Sequence, residues 1–187
     1  SVDLTGDGVA DYLPTAVTGA NGLYSFANLP QGAFTVTVGS GLPAGLTIPT
    51  YDASGTVNGV SQVTLTAGAP SSDTQDFGYR GAGSIGDRVW FDVDADGVQD
   101  VGEPGLPGVT VTLSVDLNGD GTADYTPSAT TGANGAYSFT NLPQGTFTVT
   151  VGSGLPAGLN VPTYDASGAV NGVSQVTLTA GAPSSTI

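Results

Sequence analysis

Apolar and polar residues alternate one for one along several stretches of this chain. Val109, Val111, Leu113 and Val115 are interleaved with Thr110, Thr112 and Ser114. Phe147, Val149 and Val151 are interleaved with Thr146, Thr148 and Thr150, and Val176 and Leu178 with Thr177 and Thr179. A period of two puts each apolar set on one side of an extended strand, so these stretches predict strands buried on one face. Residues 84–92 predict another strand, with Ile85, Val89 and Phe91 on one face. Tyr137 and Phe139 predict a short strand behind the Asn134-Gly135 turn. No stretch carries a helical period, and 30 Gly and 12 Pro punctuate the gaps. The expected fold is all-β, about seven strands per repeat, closed as a β-sandwich on one core.

The pattern also recurs. Residues 1–74 align without a gap on residues 114–187, an offset of 113, and 61 of the 74 positions are identical. The chain therefore reads as tandem copies of one sandwich. A period of 113 residues is long enough to bury a core. The frame that best fits the strands makes 1–79 an incomplete repeat without its first strands and 80–83 a short linker. It makes 84–187 a second repeat without its last strand. Arg80-Gly81-Ala82-Gly83 leaves little freedom between repeats, which favours a rod over beads on a string. Strands missing from one chain could be supplied by neighbours through strand complementation.

Composition narrows the chemistry. The formal charge is −14, yet only 10% of residues are charged. Eleven of the 16 acids fall in three short loops, so the acidity is local and points to cations as partners. Arg80 and Arg88 are the only basic residues, which excludes a phosphate-binding face for nucleic acid and a patch for anionic membranes. No apolar run is long enough to span a bilayer. The chain has no Cys, His, Lys or Met. That excludes His-based nucleophile systems, Schiff-base lysines, thiolate zinc sites and lysine isopeptide cross-links within the segment. The expected function is not enzymatic.

The three acidic loops carry the candidate chemistry. Residues 92–103 read Asp-Val-Asp-Ala-Asp-Gly-Val-Gln-Asp-Val-Gly-Glu. Asp92, Asp94, Asp96, Asp100 and Glu103 stand at loop positions 1, 3, 5, 9 and 12, Gly97 at position 6, and Val98 offers the carbonyl of position 7. That is the EF-hand-like spacing that a hard cation of calcium's size requires. Two shorter loops keep the first nine positions: Asp116, Asn118, Asp120, Thr122 and Asp124 in one copy, Asp3, Thr5, Asp7, Val9 and Asp11 in the other. Pro127 and Pro14 stand where the twelfth ligand belongs. Asp-Gly and Asn-Gly also form tight turns unaided.

Three stretches together resemble the B repeats of serine-aspartate repeat (SdrD-type) bacterial surface proteins. They are residues 84–92 (Ser-Ile-Gly-Asp-Arg-Val-Trp-Phe-Asp), the 92–103 loop, and residues 105–113 (Gly-Leu-Pro-Gly-Val-Thr-Val-Thr-Leu). Residues 131–147 are similar to the wider collagen-adhesin B-type group, and Asp76-Phe77-Gly78-Tyr79 to its closing strand. The resemblance implies tandem Ig-like, prealbumin-like (transthyretin-like) sandwiches on the cell surface. It implies several Ca2+ ions per domain, held by Asp92, Asp94, Asp96, Asp100, Glu103 and the Val98 carbonyl. Asp87, close to the loop in sequence, is a candidate further ligand, with a plain strand-end carboxylate as the alternative. The absence of Lys and the acidic 116–124 loop depart from that family.

The expected function is a calcium-stiffened repeat of a long secreted stalk or extracellular filament, with neighbouring repeats or copies of itself as partners. Two alternatives remain at this point: an adhesin module that binds a host or cell-surface ligand, and a filament subunit built by strand complementation. Trp90 and Phe91 are expected in core packing or over the joint between repeats, and Tyr51 and Tyr164 as loop anchors.

Overall fold

The computed structural model describes residues 1–186. Every regular element among them is a β-strand. The strands are β1 (Gly32–Thr37), β2 (Ile48–Asp52), β3 (Val60–Leu65), β4 (Phe77–Arg80), β5 (Gly83–Arg88) and β6 (Thr110–Val115). They continue with β7 (Ser128–Thr130), β8 (Ala136–Leu142), β9 (Gly145–Val151), β10 (Val173–Leu178) and β11 (Ser184–Ser185). The chain divides into two compact units. One comprises Ser1–Gly41 with Pro49–Tyr79, the other Leu42–Ile48 with Arg80–Ile187.

The second unit is a two-sheet sandwich. One sheet has the order β10-β9-β6-β7, the other β11-β5-β8. All ladders are antiparallel except the short β11–β5 pair. Register sets the core: Leu113 lies opposite Val149 and Val115 opposite Phe147 across β6 and β9. The threonines between them face outward. Both sheets feed one cluster, with Ile85, Phe139 and Leu142 from one side and Val111, Leu113, Val115, Phe147, Val149 and Leu178 from the other. Ile85, Leu113 and Phe147 are fully enclosed. Each such side chain contributes about 1.5–3 kcal/mol through burial.

The strand expected over 84–92 stops at Arg88. Beyond it Val89 donates to Gly135 O and accepts from Leu106 N–H, and Phe91 donates to Pro104 O. The chain thus leaves the ladder to enter the acidic loop, and Phe91 ends exposed rather than on the core face.

The first unit pairs β1 with β3 in the register that β9 and β10 use. Its buried cluster is small: Val2, Phe34 and Leu65, flanked by Leu29 and Val63. β2 pairs with β4. Residues 23–29, whose counterparts form β8, form no strand here.

Candidate metal centre

The 92–103 loop lies between β5 and β6, and its base is fastened by Arg88. The guanidinium donates from Nε to Asn134 O at 2.9 Å and from Nη2 to Glu103 O at 2.8 Å. Ala95 (φ 60°) and Gly97 (φ 76°) are both left-handed, which curls the loop so that alternate side chains point inward. One oxygen from each of Asp92, Asp94 and Asp96 falls within 4.8 Å of the others. Among the described residues no second set of three acidic groups converges in this way.

Backbone N–H groups orient these carboxylates. Gly97 N–H donates to Asp92 Oδ2 at 2.9 Å and Val98 N–H to Asp96 Oδ1 at 2.7 Å. Asp92 Oδ1 is enclosed and has no hydrogen-bond partner that meets ordinary geometry. The Thr163 side chain beside Asp92, aided by loop N–H groups, holds its carboxyl below the usual carboxylate range. Asp94 moves the other way: desolvation, then the charges of Asp96, Asp100 and Asp92, push it up. Three mutually repelling carboxylates held together by backbone bonds are what a cation site requires.

The remaining residues of the loop stand nearby in other roles. Glu103 is buried, and its two oxygens accept Val93 N–H at 2.7 Å and Asp100 N–H at 3.0 Å. Glu103 and Asp100 lie outside the three-carboxylate cluster. Val98 is exposed. Asp87 sits on β5 opposite Tyr137. Its carboxyl is pushed up by desolvation, and the Tyr137 phenol is pushed up to about 12, chiefly by burial and then by the Asp87 charge.

The two shorter loops are closed on themselves. Asp116 accepts Gly119 N–H and Gly121 N–H, both at 2.7 Å, and Asp124 accepts Leu117 N–H at 2.7 Å and Asn118 N–H at 3.2 Å. Asp120 accepts Thr122 N–H at 2.8 Å. The earlier copy repeats the scheme: Gly6 and Gly8 donate to Asp3, Leu4 and Thr5 to Asp11, and Val9 to Asp7. These N–H groups hold Asp116 and Asp3 below their ordinary range.

Sequence reasoning missed three contributions here: Thr163 beside Asp92, Arg88 as the fastener, and the packing of Trp90 on Tyr164, with ring centroids 5.5 Å apart. Residues 163 and 164 lie in a segment with no regular period, so no local signal announced them. The expectation that Tyr164 acts as an anchor agrees with this ring contact. The neighbouring carboxylates, Asp165 and its counterpart Asp52, brace their own loops. Asp52 takes Ser54 Oγ at 2.6 Å and Asn58 N–H at 2.8 Å, and Asp165 takes Ser167 Oγ and Asn171 N–H at the same distances.

An all-β sandwich with a carboxylate-lined loop between its first two strands defines a class of repeat module. Residues 83–186 match the SdrD B-like domain, and the chain belongs to that family. It is 39% identical over 144 residues to serine-aspartate repeat-containing protein D of Staphylococcus aureus (strain Newman), an alignment covering 74% of this chain and 10% of that protein. It is 37% identical over 144 residues to serine-aspartate repeat-containing protein F of Staphylococcus epidermidis, covering 74% of this chain and 8% of that one. The chain thus spans about a tenth of the length of these relatives. Among solved structures it is similar to a streptococcal ancillary pilin, at 14% identity and a TM-score of 0.37, over 86% of this chain and 42% of that one. It is also similar to the major pilin SpaD of Corynebacterium diphtheriae, at 20% identity and a TM-score of 0.31, over 56% of this chain and 32% of that one. Overlap at that level carries no functional argument.

Proposed function

We propose that this chain is a calcium-stiffened structural segment of a long cell-surface stalk or extracellular filament, with no catalytic role. The observation that carries the reading is the convergence of Asp92, Asp94 and Asp96 around a left-handed curl, with one enclosed Asp92 oxygen left without a hydrogen bond. An orphaned buried carboxylate oxygen is costly unless a cation meets it. The oxygen-only donor set suits a hard ion such as calcium rather than zinc. Asp92, Asp94 and Asp96 would hold the ion, with Asp100, Glu103 and the Val98 carbonyl completing the shell. The 116–124 and 3–11 loops are proposed as weaker sites, since their carboxylates are already engaged by backbone N–H groups and the twelfth ligand is a proline.

The family supports a place at the cell surface. The mechanism is thermodynamic linkage: an ion that binds only the folded state stabilises it by RT ln(1 + [Ca]/Kd), about 1–3 kcal/mol per site at up to a hundredfold excess. Calcium joins β5 to β6 through the loop, so the sandwich gains a brace at one end.

Thermal unfolding of the whole chain in millimolar calcium, in magnesium and in chelator tests this. A calcium-specific rise in melting temperature is expected. It should be abolished by Asp96→Ala combined with Glu103→Ala. A melting temperature indifferent to calcium would show that the loop is a solvated turn and would end the stiffening mechanism.

A further inference from the structure

The ends of the 92–103 loop are drawn together by a part of the chain that lies outside it. Phe91 N–H donates to Pro104 O at 2.9 Å and Leu106 N–H to Val89 O at 2.8 Å, and Trp90 and Gly105 form an antiparallel bridge between them. The Asn134-Gly135 turn before β8 closes on this pair. Gly135 O accepts Val89 N–H at 2.9 Å. A Cβ at Gly105 would collide with Asn134 O, and one at Gly135 with Val89 O, so three backbones meet where only glycine fits.

Arg88 ties the three together. Its Nε donates to Asn134 O in the turn, and its Nη2 donates to Glu103 O at the end of the loop. Both acceptors are backbone carbonyls, so the guanidinium works as a two-pronged spacer. The Glu103 carboxylate in turn accepts Val93 N–H through Oε1 and Asp100 N–H through Oε2. One line of contacts therefore runs from the turn through Arg88 to Glu103, and from Glu103 into both arms of the loop. Thr131, ahead of the same turn, grips the exit from the loop. Its buried hydroxyl donates to Leu106 O at 2.6 Å and accepts Val109 N–H at 2.9 Å.

From these contacts we propose that Arg88 is a positioning residue for the cation loop. Seated on the Asn134-Gly135 turn, it fixes the span of the loop and the place of Glu103 before an ion arrives. It thereby sets calcium affinity, and the preference for calcium over magnesium, from outside the loop itself. The inference rests on the calcium reading above. Residues that orient ligands without touching the ion commonly control its affinity. Magnesium needs a tighter shell than calcium, so a loop with pinned ends cannot shrink onto it, whereas a released loop can. Charge works in the opposite direction. As a nearby positive charge alone, Arg88 would repel the ion, and its removal would tighten binding. Position and charge thus predict opposite signs.

Calorimetric titration of the whole chain with calcium, and separately with magnesium, reads the sign. Arg88→Gln should weaken calcium binding about ten- to hundredfold and magnesium binding less. Arg88→Lys should recover little, because a single ammonium lacks the planar fork that spans two carbonyls. Leu113→Ala loosens the core away from the turn and should leave calcium affinity unchanged, which separates positioning from a general loss of stability. In chelator, the amide hydrogens of Val93 and Asp100 should exchange faster in Arg88→Gln than in the parent. The proposal is overturned by tighter or unchanged calcium binding in Arg88→Gln, by full recovery in Arg88→Lys, or by an equal loss in Leu113→Ala. Should the parent bind no calcium, the loop is not a cation site and exchange alone decides. Faster exchange would then uphold Arg88 as the residue that positions the loop, and unchanged exchange would overturn it.

Discussion

Asp92 and Asp94 share one cluster, yet their surroundings push them in opposite directions. Thr163 and loop N–H groups favour the ionised form of Asp92, while desolvation and neighbouring charge disfavour that of Asp94. A carboxyl whose folded pKa is raised contributes stability at low pH and loses it as pH rises through the folded value. In chelator, Asp94→Asn should therefore remove a destabilisation that develops as pH rises above about 4, the ordinary carboxylate range. Melting temperatures of the variant and the parent should diverge toward neutral pH and converge in acid; a constant difference would mean that Asp94 is not repelled by its neighbours. With calcium present the order should reverse, since the variant lacks a charged ligand. The spacing of these carboxylates was legible in the sequence because a loop of fixed length encodes its own geometry. The Thr163 contact was not, because it joins segments 71 residues apart that only the sandwich brings together.

Near-identical segments can take different structures, and the reason lies at the scale of the element. Residues 134–143 and 21–30 differ at two positions, Ala136 against Leu23 and Thr140 against Ala27. Yet Ala136–Leu142 is β8, while residues 23–29 form no strand. β8 is held by β5, with Ile85 opposite Phe139, and among the described residues no strand pairs with 23–29 in that way. The ladder is decided by a partner distant in sequence rather than by local propensity. Ile85→Ala removes the side chain around which β8 closes and should cost about 2–5 kcal/mol, read as a shift in the denaturant midpoint of the unfolding transition that Trp90 reports. A loss under 1 kcal/mol would show that the sheet does not depend on this contact. The alternating strands β6, β9 and β10 were legible because their threonines mark the outer face. β7 and β11, of three and two residues, are too short to show any period and exist only through pairing with their neighbours.

For the molecule as a whole, the two units carry unequal cores, and Ile85, Val111 and Leu113 of the larger one have no counterpart in the first unit. The second encloses nine hydrophobic residues from two sheets, the first only Val2, Phe34 and Leu65. Leu23, Leu13 and Val17 remain exposed in the first unit. Stability scales with apolar area removed from water, so the units should melt separately, the first at the lower temperature. The single tryptophan provides the discriminating probe, since Trp90 lies in the second unit. Far-UV circular dichroism should detect both transitions, whereas Trp90 emission should follow only the upper one. Phe34→Ala should lower the first transition alone and Leu113→Ala the second alone, because each side chain is confined to its own cluster. Coincident transitions, with both substitutions moving both probes, would instead show one cooperative block. Separate melting would mean that the rigidity of a repeat is set within the repeat, by how completely its two sheets close and by the acidic loop between β5 and β6.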